Sequence, residues 1–497
     1  MRCVAGIDNG TQSTKVLVYD FENRRIAAES SAPHDMISRE DGSREQESSW
    51  WIEALRRCFE AVDPKIRSTI EGIGVSGQQH GFVPVDAQGN VLAPVKLWCD
   101  TSTVDQAEEI TRRFGGTERL LQEAGNLVLT GYTAPKILAF KQQHPRLYEQ
   151  LRWILLPHDY LNFFLTGTVW MEYGDASGTA LLDVKNRRWH QELLSCIDEH
   201  RDISQLLPPL IESHEIGGLV TPDAAKRLGI PEGIPVSSGG GDNMMSAVGT
   251  GVITEGSLAI SLGTSGTMYG YSGKPIIDEG QRLAAFCSSS GGWLPLLCTM
   301  NCTVATELYR SMLEMGVKEF DQLASEAHPG ADGVITIPFF NGERTPNLPK
   351  GRGCLVGMTA SNTTKANMNR SALESAIYGL KMGLEAFEQQ GFKAEGTVIS
   401  GGGAKSPIWR QITADILGIP VMLPGVEETA AFGGAVQALW ALRCRDAGFT
   451  DITEVFNAHK QESSTPQIFP QEDHRGVYEA RYEQYKEYVE ALSVLFR

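Results

Sequence analysis

Two stretches of this chain, nearly half its length apart, follow one plan, and that repetition constrains the fold more than any other feature. Gly6 to Lys15 reads GIDNGTQSTK and lies between the apolar runs Val4-Ala5-Gly6-Ile7 and Val16-Leu17-Val18-Tyr19. Two such runs joined by Asp8-Asn9-Gly10 predict a β-hairpin whose Asn and Gly accept the positive φ of a tight turn. Thr11, Ser13 and Thr14 follow. A glycine turn with free N–H groups and hydroxyls suits phosphate oxygens, and Asp8 suits a hydrated Mg²⁺. Taken alone, the stretch reads more readily as a plain hairpin turn. Ser257 to Tyr269, SLAISLGTSGTMY, repeats it: Leu258-Ala259-Ile260 run into Gly263-Thr264, with Ser265 and Thr267 behind. Here Ser261 stands where Asp8 stands in the first copy. This is duplication of one supersecondary unit, not a short-period solenoid. Two such hairpins facing each other, one carrying a metal carboxylate, would clamp a nucleoside triphosphate between two domains.

The 497 residues suffice for two to four domains with a large core. No apolar run approaches the roughly 20 residues a bilayer span needs, and the N-terminus lacks a basic-then-apolar leader. The nine cysteines form no ligand framework. Cys298 and Cys302, i,i+4 at an expected helix start, have no matching second pair, so core packing is the better reading than zinc. Free thiols point to a reducing cytoplasm. A net charge of −17 argues against nucleic-acid or anionic-membrane partners, but leaves room for an anionic nucleotide.

Beyond the first hairpin, Arg24 to Glu29 reads as a third strand. Glu47 to Val62 follows helical spacing, with Ser48 or Ser49 as its cap, and Gly72 to Ser76 reads as a fourth strand. That strand runs into Gly77-Gln78-Gln79-His80-Gly81-Phe82. Two amides and an imidazole at a strand end suit the hydroxyls of a small polar molecule, although His80 reads as well as a structural histidine. Trp98 and Asp100 could serve the same pocket. Residues 107–168 look mainly helical, with Leu156-Pro157-His158-Asp159-Tyr160 opening one helix and Asp159 at its positive end. Asp175, in the loop Glu172–Gly178, is a pocket residue or a cap.

In Val236-Ser237-Ser238-Gly239-Gly240-Gly241-Asp242-Asn243, three glycines deliver a carboxylate at a strand-to-helix junction. Glycines let backbone approach a ligand closely. Asp242 reads as an N-cap, as the acceptor of an attacking hydroxyl's proton, or as both. Gly342-Glu343-Arg344-Thr345-Pro346 is a polar turn in which Arg344 contacts phosphate or joins Glu343 in a structural network. Asn369 to Gln390 is an amphipathic helix. Ser400-Gly401-Gly402-Gly403-Ala404-Lys405-Ser406 leads a strand into the helix Trp409–Leu417, and its glycines suit a flat ring or a ribose. Glu428 to Leu442 carries small residues for close helix packing, and Tyr478 to Phe496 reads as a surface helix.

The ordered set GIDNGTQSTK, GQQHG, LPHDYL, SGGGDN, SLGTSGT, GERTP and GGGAKSPIWRQITADILG resembles the FGGY carbohydrate kinases, within the sugar-kinase, Hsp70 and actin superfamily, over nearly the whole chain. The resemblance implies an α/β fold of two ribonuclease-H-like domains around a central cleft: residues 1–245 for sugar and Mg/phosphate binding, residues 246–497 for ATP. It implies an ATP-dependent kinase acting on a ketopentose, D-xylulose foremost, with Mg²⁺ as cofactor. It makes Asp242 the general base and Asp8 the Mg²⁺ residue. Thr11 and Gly263-Thr264 would contact phosphates, Gly402, Gly403 and Ser406 the nucleotide, and Gln79, His80 and Asn243 the sugar. A homodimer is open. Two departures bear on the sugar: many members acting on D-xylulose carry Met where this chain has Gln79, and Asn and Arg around Trp98-Cys99-Asp100-Thr101-Ser102. Other acceptors (ribulose, gluconate, erythritol) and a non-catalytic ATP-gated sensor are the competing readings. Asp242 argues against the sensor.

Overall fold

The computed structural model describes residues 1–496. In the first half β1 (Cys3–Asn9), β2 (Ser13–Asp20) and β3 (Arg25–Pro33) form a meander; α1 (Ser48–Ala61) and β4 (Ile70–Gly77) follow. A largely helical stretch with α2 (Thr133–Gln143) and α3 (Pro157–Thr166) leads to β5 (Ile216–Leu219), β6 (Pro235–Ser237) and α4 (Asp242–Thr250). The sheet order is β5-β6-β4-β1-β2-β3, with β1–β2–β3 antiparallel and β4 parallel to both β1 and β6.

The second half repeats this. The meander is β7 (Ser257–Leu262), β8 (Gly266–Gly270) and β9 (Leu296–Thr299). Then come α5 (Lys365–Gln389), β10 (Gly396–Ser400), α6 (Pro407–Leu417), β11 (Val421–Met422), α7 (Thr429–Ala447) and α8 (Glu472–Ser493). The order β9-β8-β7-β10-β11, with β10 parallel to both β7 and β11, repeats the first sheet's β3-β2-β1-β4-β6 without its edge strand β5. The duplication read from two hairpins is a duplication of whole ribonuclease-H-like units.

The halves are joined through α7. This helix belongs to the second half but lies on β1 and β4 of the first and crosses α4. Glycine makes the approach. A Cβ on Gly6 would sit 1.7 Å from the Ala431 carbonyl oxygen, and one on Gly74 would sit 2.0 Å from that of Gly434. Where α7 meets α4, a Cβ on Gly249 would lie 2.0 Å from the Thr429 oxygen and one on Gly433 1.9 Å from the Met245 oxygen. Backbone lies on backbone, so a single methyl would force the elements apart.

Several local expectations are corrected. Asp8 and Asn9 belong to β1, opposite Lys15 and Thr14. The turn is Gly10–Gln12, and neither Asn9 nor Gly10 has positive φ, because a three-residue connection closes the strands without it. Neither Ser48 nor Ser49 caps α1: Glu47 holds the cap position and no side chain bonds there. Cys298 lies in β9 rather than at a helix start. The loop Glu172–Gly178 contains a short helix, Tyr173–Ala176, capped by Glu172 instead of Asp175. The C-terminal helix is more than a surface feature, because its Tyr478, Tyr482, Tyr485 and Val489 are buried in the second half's core.

Candidate active site

The two units face each other across a cavity of about 600 Å³. The first half lines it with Thr11, Gln79, His80, Trp98, Tyr132, Asp242 and Asn243; the second contributes Ser261, Gly263, Ser265, Thr267, Phe286 and Arg344. Of the residues expected to act together, Thr11, Gln79, His80, Asp242, Asn243 and Gly263 therefore meet in one space. Thr264 is exposed on the neighbouring turn. Gly402 and Gly403 follow the end of β10, which is parallel to β7. Gly402 is exposed and open, whereas Gly403 is closed in by Trp409 and Leu262, where a Cβ would lie 2.6 and 2.8 Å away. Ser406 caps α6 by accepting from the Trp409 N–H.

Asp242 is the first residue of α4, and Gly241, not Asp242, occupies the cap position. Its Oδ1 accepts from the Asn243 N–H at 2.8 Å and from Asn243 Nδ2 at 3.0 Å. Among the described residues nothing bonds to Oδ2. The same Asn243 Nδ2 donates to Gln79 Oε1 at 2.8 Å. Burial, reinforced by the negative charges of Asp8 and Asp175, pushes the Asp242 pKa up to about 7. A carboxylate so raised is matched to proton abstraction near neutrality.

Asp8 ends the first hairpin's leading strand, and its Oδ1 accepts from the Ser76 hydroxyl at 2.8 Å. Burial raises its pKa to about 6, opposed by that hydrogen bond and by Lys15. No group of three or more ligating side chains occurs among the described residues. One free-ended carboxylate beside a hydroxyl-rich cleft fits Mg²⁺, which keeps several waters and takes its remaining ligands from phosphates.

His80 sits at φ 64°, a conformation rare for a side-chain-bearing residue. Its carbonyl accepts from Lys136 Nζ at 2.7 Å and Thr133 Oγ1 at 3.2 Å. Its ring lies 4.6 Å from Tyr132 and 5.9 Å from Phe286. Burial, with the charges of Lys136 and Arg344, lowers its pKa to about 3, so the imidazole is neutral and can meet a hydroxyl as donor or acceptor. Lys136 is itself fully buried on α2 with no carboxylate contact among the described residues, and burial lowers its pKa to about 7. The sequence reading missed Lys136, Tyr132 and Phe286. Lys136 was findable, as a lone cation inside the apolar helix TAPKILAF.

Asp100 does not reach the cavity. It is buried against the Arg44 N–H, Ser102 and Lys96. Trp98 does line it, donating to Thr11 Oγ1 at 2.9 Å. Glu343 organises the second-half wall, accepting from the Met300 N–H, Asn301 Nδ2 and the Arg344 N–H. That leaves the Arg344 guanidinium at the cavity without a carboxylate partner among the described residues.

Known proteins share this whole layout. The profile of the FGGY family of carbohydrate kinases, N-terminal domain, matches residues 3–249, and that of the C-terminal domain matches residues 258–442. A xylulose kinase from Haemophilus influenzae is 40% identical, covering 98% of this chain and 99% of its own. A xylulose kinase from Streptomyces rubiginosus is 33% identical over 89% of each. The crystal structure of a "xyloylose kinase" from Brucella ovis superposes with a TM-score of 0.92 at 29% identity, covering 99% of this chain and 100% of its own. With both domain profiles in order on one duplicated fold around one cavity, the chain belongs to the FGGY family of carbohydrate kinases.

Proposed function

We propose that this carbohydrate kinase transfers the γ-phosphoryl group of ATP to the 5-hydroxyl of a ketopentose, D-xylulose, giving the 5-phosphate and ADP. The observation that carries the reading is the free Oδ2 of Asp242, pointing from a helix start into a cavity walled by Gln79, His80 and Asn243. Residues 1–245 supply the sugar and metal side, and residues 246–497 the nucleotide side. Relatives named xylulose kinase, matched over almost the full chain, support the choice of sugar.

Gln79, His80 and Asn243 hold the sugar with its hydroxyl at Asp242 Oδ2. As the hydroxyl oxygen bonds to the γ-phosphorus, its proton passes to Asp242 and the bond to the ADP oxygen breaks. Mg²⁺ on Asp8 would neutralise phosphate charge when bound. Gly263-Thr264 and the main chain at Thr11 meet the phosphates, while Gly402, Gly403 and Ser406 border the nucleotide. A cavity shared by both halves lets their approach exclude water, so the sugar hydroxyl is the acceptor.

ADP release with Mg-ATP, measured against D-xylulose, L-xylulose, D-ribulose, L-ribulose, gluconate, glycerol and erythritol, tests the reading. D-xylulose should show the highest kcat/KM. Asp242→Asn should abolish turnover while nucleotide still binds, and His80→Ala should raise the sugar KM. Another preferred acceptor would overturn the choice of sugar; an active Asp242→Asn would overturn the base.

A further inference from the structure

Behind the cavity lies a buried charged group that phosphoryl transfer does not call for. His158 Nδ1 is 2.8 Å from Asp175 Oδ2, and His158 Nε2 is 2.9 Å from Asp159 Oδ1; all three side chains are fully enclosed. Burial works against charge on the imidazole, but the two carboxylates outweigh it and hold its pKa well above the ordinary value. Asp159 also accepts from the Leu156 N–H at 2.8 Å, which closes the start of α3.

Glycines make room for this group. A Cβ on Gly77 would lie 2.8 Å from the His158 backbone nitrogen, and one on Gly239 would lie 2.9 Å from His158 Cδ2. A Cβ on Gly241 would lie 3.0 Å from Gln79 Cδ and 3.1 Å from Asp175 Oδ1. The glycine run before Asp242 thus admits His158, Asp175 and Gln79 rather than a ligand. Four polar atoms in that space are buried without a hydrogen-bond partner: His158 Nε2 and Asp159 Oδ1, which face each other as an ion pair, and Gln79 Nε2 and Asp175 Oδ1. The last two are complementary; burial raises the Asp175 pKa, while His158 and then the Gln79 amide favour its ionised form.

We propose that Asp175, held by His158 and Asp159, is a positioning residue for Asp242, acting through Gln79 and Asn243. This rests on Asp242 being the base. An ionised carboxylate only accepts, so it turns the NH₂ of Gln79 toward itself and leaves Gln79 Oε1 to receive Asn243 Nδ2. Asn243 then gives both its N–H and its Nδ2 to Asp242 Oδ1. One charge sets the direction of every bond in the chain, and Oδ2 is left free and aimed.

The test is a double-mutant cycle on the full-length protein: wild type, Asp175→Asn, Gln79→Glu and the pair together. Each is assayed with Mg-ATP and its best acceptor, and melted in the same buffer. Asp175→Asn sets an amide against an amide; Gln79→Glu sets a carboxylate against a carboxylate. Each single change should lower kcat by about tenfold to a hundredfold, leave the KM for ATP unchanged, and lower the melting temperature. Together they restore one donor facing one acceptor. The second oxygen of the carboxylate that Gln79→Glu introduces is then free for Asn243, so kcat and melting temperature should both recover. Losses that simply multiply would overturn the proposal. If Asp175→Asn alone does not fold, folding of the double variant is itself the rescue, and its failure to fold counts against us. A wild type inactive on every acceptor would defeat the functional reading and with it the role given to Asp242, whereas losses that multiply in an active enzyme would defeat this proposal alone.

Discussion

The two hairpins share strand order and position yet are finished differently. In the first, Asp8 lies opposite Lys15, beside Ser76, and accepts from its hydroxyl. In the second, Ser261 lies opposite Thr267 and beside Ser400. Both connections have three residues, but the first turn closes from the Gly10 N–H to the Ser13 carbonyl and the second, one residue tighter, from the Gly263 N–H to the Ser265 carbonyl. Two of the first hairpin's three hydroxyls are committed, Ser13 being the exception: Thr11 donates to Gln78 and receives from Trp98, and Thr14 donates to Asn9. Those of Ser261, Thr264, Ser265 and Thr267 have no protein partner among the described residues. One copy of the unit has become a braced mount for a charge, and the other an open set of donors. Duplication supplied the frame twice, and side-chain bonding divided the labour.

Exchanging the two finishes is the way to break this comparison. Asp8→Asn removes the mounted charge, and kcat should fall on the order of a thousandfold. The folded-state pKa of Asp8, about 6, lies above its ordinary value, so its charge costs stability above pH 6 and the cost fades as pH falls through the ordinary range. At pH 8 the variant should therefore melt no lower than wild type; a clear drop would make Asp8 structural. Ser261→Asp places a second carboxylate among the donors and should raise the KM for ATP roughly tenfold through repulsion of phosphate, leaving the sugar KM alone. An equal rise in both would dissolve the division.

Asp242 links the copies through pH. With its pKa near 7, kcat/KM for the sugar should fall tenfold per pH unit below 7. Because Asp8 contributes to that elevation, the residual activity of Asp8→Asn should break at a lower pH. A flat profile from pH 5 to 8 would remove Asp242 as the base. The smallest effect is the sharpest contrast: Thr264→Val should raise the KM for ATP a few-fold, whereas Thr11→Val should barely move it, its hydroxyl being spent on Trp98 and Gln78. The reverse order would mean that the first turn, not the second, grips phosphate.

What was legible in the sequence was whatever a strand end announces locally. Asp8, Gln79-His80 and Asp242-Asn243 each lie within two residues of a glycine at a β-terminus, and Gly263 is such a glycine; the structure brings all but Asp8 to one cavity, with Asp8 close enough to act on Asp242. What was not legible depends on partners remote in sequence. The glycines before Asp242 looked like ligand clearance but give way to His158, a residue on another helix. Asp100 looked available and is spent on Lys96 and Arg44. Tyr132 stands at the N-cap of a helix whose buried face gives no periodic hint of a pocket. The place of α7 on the first sheet was also hidden, because small residues announce close packing without naming the surface.

That placement bears on how the protein is made. Val4, Leu17 and Tyr19 share a buried cluster with Phe432, Val436 and Leu439 of α7. On the ribosome the first sheet is complete once β6 has emerged, but its apolar back stays bare until α7 has been synthesised. At 5–20 residues per second that interval is roughly ten to forty seconds, long enough for a sticky intermediate to need shelter. A gene truncated after residue 250 should yield aggregate, and supplying the missing second half as a separate chain should recover soluble protein only if it is present during synthesis.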